Sequence, residues 1–414
     1  MIVRRLPMLY LSKGLTCRPP AACDSDWSVH VQRAFLVFVT FCLFAPLVQT
    51  LYPVFGRTIV SPVEERRASH PFPSAQLLTA TNGDFASRLN QWFDDRVGLR
   101  DLFIRAKNQI DYTLFHTSKK VYVGADGWLF YKYPIENIVN LNPVGLAALE
   151  SSYLALARRL NARGIHLIVV GYPLKAAIYP EMAPPNTPLR PRGGSYDQFR
   201  KFLAARSELI FIDAEEIIKA LKATSLELLY GKGDLHATPF AQRAVVKEIV
   251  ARIAQAEGRP DIQWDEKMTL THVRWRTEGA ERNALAVLFP PQEDMPLFEG
   301  RYSIGGQEPD GHWFLPDPNI LERADEGVGR AFDWEFRSLP ELCATRLPGM
   351  VLFGNSFSDY YWALGLQRYF CFIRRARDPI SRFKTFYDTM PPDTKYFIFQ
   401  FYEPWLVIDA PPFN

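Results

Sequence analysis

Apolar residues recur along this chain with two periods, and the alternation between them predicts the fold class. From Leu146 to Ala162 they fall at helical spacing and stop at Gly164, after which Ile165-His-Leu-Ile-Val-Val170 is an apolar run of strand length. Residues 209–213 repeat the strand pattern, and residues 214–223 repeat the helical one. Thr238 and Pro239 supply a cap and a favoured first residue for a helix running to Ala256. Strands resume over 350–353, 369–373 and 396–401. Strands separated by helices predict an α/β fold, with a mostly parallel sheet and helices on its faces.

Two stretches depart from that rhythm. Residues 258–345 hold many Pro and Gly, short apolar runs and four tryptophans (Trp264, Trp275, Trp313, Trp334), which reads as a β-rich insertion whose tryptophans belong to a core rather than to a ligand platform. Upstream, residues 34–51 form an apolar stretch free of charge, long enough for a bilayer core that takes roughly 17–25 residues. Arg4, Arg5, Lys13, Arg18 and Arg33 precede it, and Arg57, Arg66 and Arg67 follow. That bias puts the N-terminus in the cytoplasm and the bulk of the chain beyond the inner membrane, in the periplasm. The expected organisation is a cytoplasmic tail (1–33), a signal anchor (34–51), a proline-rich linker (52–84) and one large domain (85–414). That domain opens with a helical pattern over 85–115, interrupted near Gly98. A hairpin follows over 121–131, turning at Asp126-Gly127.

At 414 residues the chain has ample length for such a core, and a formal charge of +3 with no arginine-rich run gives no reason to expect a nucleic-acid partner. Aromatic residues make up 14%, which suits a thick core or a stacking surface for sugar rings. Of five cysteines, Cys17 and Cys23 precede the anchor and Cys42 lies within it. Cys343 and Cys371 remain, either as one disulfide in an oxidising compartment or as two separate thiols. No Cys or His spacing resembles a zinc site, so neither a metal nor another cofactor is expected.

Candidate chemistry sits in two short segments. Val351-Leu-Phe-Gly354-Asn355-Ser356-Phe-Ser358-Asp359 reads as a strand running into a tight turn with an exposed serine. There the Ser356 N–H can face a developing oxyanion, while Gly354 and Asn355 support the turn, the Asn355 amide being a second candidate donor. Gly231-Lys-Gly-Asp234-Leu-His236-Ala-Thr-Pro supplies a carboxylate and an imidazole just before a helix start. A serine hydroxyl is a weak nucleophile until a base takes its proton, and an imidazole oriented by a carboxylate does so near neutral pH. The set is therefore Ser356 as nucleophile, His236 as base and Asp234 as orienter.

Taken jointly, these segments resemble the SGNH-hydrolase-like proteins of the alginate O-acetylation family, the group containing AlgJ and AlgX. The resemblance runs from Glu64-Glu-Arg-Arg67 through Trp92-Phe-Asp-Asp95-Arg96, Val123-Gly-Ala-Asp-Gly-Trp-Leu-Phe-Tyr131, Tyr172-Pro-Leu-Lys175 and Ile178-Tyr-Pro-Glu181 to the two catalytic segments. It departs at Ala237, where the family has tryptophan, and at Asn355, where it has aspartate. The resemblance implies a circularly permuted SGNH topology with Asp and His ahead of Ser. It also implies an O-acetyltransferase acting on an exported polysaccharide, with acetyl delivered across the membrane by a multi-pass acyltransferase partner. Two other readings stay open: a non-catalytic glycan-binding or assembly subunit of an export complex, and a carbohydrate acetylesterase.

Overall fold

The computed structural model describes residues 26–52, 70–74, 84–137, 140–266, 270–275, 279–298, 315–316, 334–338, 340–359, 361, 364–377 and 379–413. Most of the expected tail and linker, the Glu64–Arg67 knot and Trp313 lie outside them, as does the side chain of Trp275. The chain divides into two compact units, Met1–Phe103 and Ile104–Asn414.

In the first unit one helix, Asp26–Leu51, contains a span, Val29–Leu51, long and apolar enough to cross a membrane. It starts earlier than the anchor read from the sequence. Val29 and Val31 extend the apolar pattern, and the single charge of Arg33 does not interrupt helical hydrogen bonding. Near its end the Thr50 hydroxyl donates to the Pro46 carbonyl (2.7 Å) and accepts from the Gly98 N–H (2.8 Å). A Cβ on Gly98 would lie 2.5 Å from Cβ of Gln49, so only glycine permits that approach. The helical pattern over 85–115 becomes two helices, Asp84–Asp94 and Arg100–Phe115, with Leu99 in the left-handed region between them (φ 66°).

The second unit is an α/β domain. Strands β1 (Val121–Val123) and β2 (Leu129–Tyr131) form the expected antiparallel hairpin, with Asp126 and Gly127 both at positive φ in the turn. Next come β3 (His166–Tyr172) and β4 (Leu209–Asp213), then the paired strands β5 (Leu270–Trp275) and β6 (Glu293–Phe298). The last strands are β7 (Leu315–Pro316), β8 (Trp334–Arg337), β9 (Gly349–Gly354), β10 (Phe372–Arg377) and β11 (Thr394–Tyr402).

Seven strands make one sheet in the order β4-β3-β11-β9-β10-β8-β7. The first five run parallel, while β8 and β7 join antiparallel at one edge. The sheet is therefore mixed, and among the described residues of the expected β-rich insertion, 258–345, β5 and β6 pair in a sheet of their own while β7 and β8 supply this edge. Trp334 is buried in the core and Trp264 stacks on Tyr369, as expected of core tryptophans.

Alternate residues of each central strand enter opposite cores, as the two-residue period of a strand requires. Ile168, Val170, Met350, Leu352 and Ile398 pack beneath the helices Ala214–Thr224 and Pro239–Ala256. Leu167, Val169, Val351, Phe353, Phe397 and Phe399 pack beneath Pro143–Asn161, Ser195–Ala204 and Phe383–Asp388. Burial on both faces explains the near-continuous apolar runs, which are typical of parallel sheets. The carboxyl ends of these strands form one rim, and Ser356 follows β9 on it.

Candidate active site

Sequence places Ser356 two residues beyond the end of β9, and local packing turns it there. Gly354 is pressed against the neighbouring strand: a Cβ at this position would lie 2.5 Å from Oε1 of Gln400 and 3.0 Å from the Ser358 hydroxyl. Gln400 of β11 then accepts from the Asn355 N–H (3.0 Å) and donates to Asn355 Oδ1 (2.9 Å), which also accepts from the Phe357 N–H (3.2 Å). Asn355 is thus committed to holding the turn. Its Nδ2 is buried and meets no acceptor among the described residues, so it does not face an open oxyanion position.

Beneath the turn lies Arg375 of β10, 1% exposed. Its guanidinium donates to the Asn355 carbonyl (2.9 Å), to the Ser358 hydroxyl (3.2 Å) and to the Asp359 carboxylate (2.5 Å). Burial pushes the Asp359 carboxyl up, a shift that Arg375 and Arg377 oppose. Among the described residues the Ser356 N–H itself donates to no protein atom, so it remains available to an incoming ligand.

The other segment meets this turn directly. Asp234 Oδ1 accepts from the His236 N–H (2.8 Å) and lies 2.6 Å from His236 Nδ1. On the far side of the ring, Nε2 lies 2.7 Å from Ser356 Oγ. An ionised carboxylate only accepts, so Nδ1 carries the proton, and Nε2 is left to accept from the serine O–H. The structure therefore brings together all three residues read from the sequence, in hydrogen-bond reach of one another.

Burial alone would lower the His236 pKa, but the Asp234 carboxylate, with help from Glu281 and Asp359, raises it overall. Asp234 is driven the other way: burial would raise its pKa, yet His236, two hydrogen bonds to it and the Lys175 ammonium hold it below the usual carboxylate value. The histidine side chain keeps 31% of its surface, enough for a ligand to reach the ring. Ala237, the point of departure from the family's tryptophan, is buried in the core, and Phe357 flanks the imidazole (centroids 5.0 Å apart). Thr238 caps the following helix as expected, its hydroxyl accepting from the Ala241 N–H (3.3 Å).

Arg375, Asp359 and Gln400 were not singled out in the sequence reading. Gln400 carried a signal, being a lone amide inside the apolar run 396–401. Cys343 and Cys371 are joined by a disulfide, with Cα atoms 4.8 Å apart, which ties the segment before β9 to the start of β10.

A family profile for the SGNH hydrolase-like domain of the acetyltransferase AlgX matches residues 121–295. Over that stretch the chain is similar to the SGNH hydrolase-like domain of AlgX. That stretch contains Asp234 and His236, and Ser356 lies downstream of it. A probable alginate O-acetylase AlgJ from Pseudomonas aeruginosa is 27% identical over 189 residues, covering 44% of this chain and 46% of the relative. Its counterpart from Pseudomonas fluorescens is 25% identical over 182 residues, covering 42% and 44%. The chain spans less than half the length of these relatives. The O-acetyltransferase domain of Pseudomonas putida AlgJ superposes with a TM-score of 0.44 at 17% identity, covering 70% of this chain and 92% of that domain.

Proposed function

We propose that this protein is a membrane-anchored, periplasmic O-acetyltransferase that acetylates hydroxyls of an exported polysaccharide. The observation that carries the reading is the unbroken hydrogen-bonded line from Asp234 through His236 to Ser356. Ser356 Oγ attacks the acetyl carbonyl of a donor as its proton passes to His236 Nε2. The negative charge that develops on the carbonyl oxygen falls beside the Ser356 N–H. Collapse expels the donor's leaving group, which takes the proton back from His236, and an acetyl-serine remains. A sugar hydroxyl then gives its proton to Nε2 and attacks the same carbonyl. Ser356 leaves with that proton, and the acetyl ester sits on the sugar.

The apolar helix Val29–Leu51 supports anchoring, and the charge bias around it supports a periplasmic catalytic domain. On that side of the inner membrane acetyl must be delivered from the cytoplasm, so the partner is a multi-pass membrane acyltransferase. The AlgJ relatives named as alginate O-acetylases make an acidic exopolysaccharide the first acceptor to test.

The test uses the full chain in detergent with p-nitrophenyl acetate as donor, with and without oligosaccharide acceptor. Wild type is expected to release p-nitrophenol and to become acetylated on Ser356. Ser356→Ala is expected to do neither. Equal turnover by both would refute the proposal. Transfer to sugar rather than water separates a transferase from an esterase.

A further inference from the structure

The loop carrying Asp234 is braced from several directions by groups that make no contact with Ser356. Lys175, 3% exposed, lies just after β3 and points its ammonium under the loop. It donates to the carbonyls of Gly231 (3.1 Å), Lys232 (3.3 Å) and Asp234 (3.0 Å). The rings of Phe130 and Trp128 from the β1–β2 hairpin lie 5.3 and 6.0 Å from the same nitrogen. Its counter-charge is Glu281, 1% exposed and 2.8 Å away, on the helix Ala280–Leu285 between β5 and β6. Burial pushes the Glu281 carboxyl up to about 7 even beside Lys175.

From that same segment Glu293 accepts from the Lys232 N–H (2.5 Å) and the Gly233 N–H (3.4 Å), and it is paired with the buried Arg282 (2.5 Å). The backbones approach so closely that a Cβ on Gly279 would lie 2.3 Å from the Gly233 carbonyl oxygen. The segment is fixed in turn by the helix Arg100–Phe115, where Arg105 donates to the Val287 carbonyl (3.3 Å) and Asn108 to the Ala286 carbonyl (3.1 Å).

We propose that Lys175 is the positioning residue for the Asp234 carboxylate, and that residues 279–298 form an arm that braces the triad through it. The inference rests on the acyl-transfer reading of Ser356, His236 and Asp234. Taking an ammonium out of water costs several kcal/mol, and a purely space-filling role at this position is better served by an apolar side chain. What an apolar residue lacks is three donors aimed at three carbonyls of one loop. Those carbonyls set where the Asp234 Cα–Cβ bond points, and so where Oδ1 meets His236. Displacements of about 1 Å in such a constellation cost on the order of 100-fold in rate. Triad geometry and docking of the arm are therefore one event.

The test compares wild type, Lys175→Met and the double variant Lys175→Met/Glu281→Leu, each as the full chain in detergent. One readout is p-nitrophenyl acetate turnover split into kcat and KM. The other is the downfield proton resonance of His236 Nδ1–H against Asp234, seen with histidine-selective labelling. The double variant removes the charge pair together, so it folds without a lone buried carboxylate even where the single variant does not. The expected result is an unchanged KM, a kcat lower by about 100-fold, and loss of the downfield proton in the double variant. Recovery of wild-type kcat and of that resonance in the double variant would overturn the proposal, because Lys175 would then serve only to neutralise Glu281. A wild type with no ester turnover sinks the acyl-transfer reading, while the resonance still reports whether Lys175 sets the Asp234–His236 contact.

Discussion

Replacing Gly354 by alanine adds one methyl group at a crowded point of the turn that carries Ser356. The new Cβ would lie 2.5 Å from Oε1 and 3.0 Å from Cβ of Gln400. A flexible side chain would swing away at little cost, but Gln400 is 2% exposed and makes two hydrogen bonds to Asn355. The clash is therefore relieved either by strain, at about 1–3 kcal/mol, or by breaking those bonds, at about 1–3 kcal/mol for each buried group left unsatisfied. The second route moves the Asn355–Ser356 turn. Gly354→Ala is thus expected to destabilise the protein by about 2–4 kcal/mol and to lower kcat by one to two orders of magnitude, roughly.

Gln400→Ala alone loses the same two hydrogen bonds and removes the 2.5 Å contact with Oε1, leaving those at 3.0 Å with Cβ of residue 400 and with the Ser358 hydroxyl. If the methyl acts mainly through the Gln400 amide, adding Gly354→Ala to Gln400→Ala costs less stability than adding it to wild type. Urea unfolding followed by tryptophan fluorescence, with ester turnover on the same samples, measures the whole cycle. Additive losses in the double variant, or wild-type behaviour of Gly354→Ala, refute the reasoning.

Three further outcomes concern the site and its supports. Because Asp234 raises the His236 pKa, the base is neutral only at higher pH, so kcat/KM for p-nitrophenyl acetate falls as pH drops, with a midpoint above the ordinary imidazole value of about 6.5. Asp234→Asn moves that midpoint down and lowers kcat by about 10⁴-fold, since the ring loses the carboxylate that fixes its tautomer; an unmoved midpoint contradicts the assignment. Opening the Cys343–Cys371 bridge by a double serine substitution, across a sequence separation of 28, removes about 3–4 kcal/mol of stability in urea unfolding, with no change expected in KM.

Periodicity made the parallel core legible because each central strand is buried on both faces and so reads as an unbroken apolar run. The capped helix after Thr238 and the Asp126-Gly127 hairpin were legible for a similar reason: their residue types have few other uses. The strand read over 369–373 is β10, Phe372–Arg377, displaced toward its charged end. A run of arginines looks like a strand terminator, yet Arg375 is carried inside by Asp359, the Ser358 hydroxyl and the Asn355 carbonyl, from a turn on the preceding strand's end. Lys175 and Glu281 were hidden similarly, since a buried ion pair is visible only once both partners have been located. The antiparallel edge escaped notice because β8 is short and preceded by a long Gly- and Pro-rich stretch, which suggested a module of its own. Asp234, His236 and Ser356 could be picked out as candidates because they lie in two compact motifs. Their 2.6 and 2.7 Å contacts are a product of the sheet.

The position of β11 has a consequence for how this molecule comes into being. It is the last strand in chain order, yet it lies between β3 and β9 in the middle of the sheet. Until it is threaded in, β3 with β4 and β9 with β10 are two half-sheets with raw inner edges, one near each side of the future nucleophile. Gln400, which pins the serine turn, arrives on that same strand. The turn that carries Ser356 is therefore unsupported until Gln400 joins the sheet, and the vulnerable moment in folding is the interval just before the central strand closes the gap.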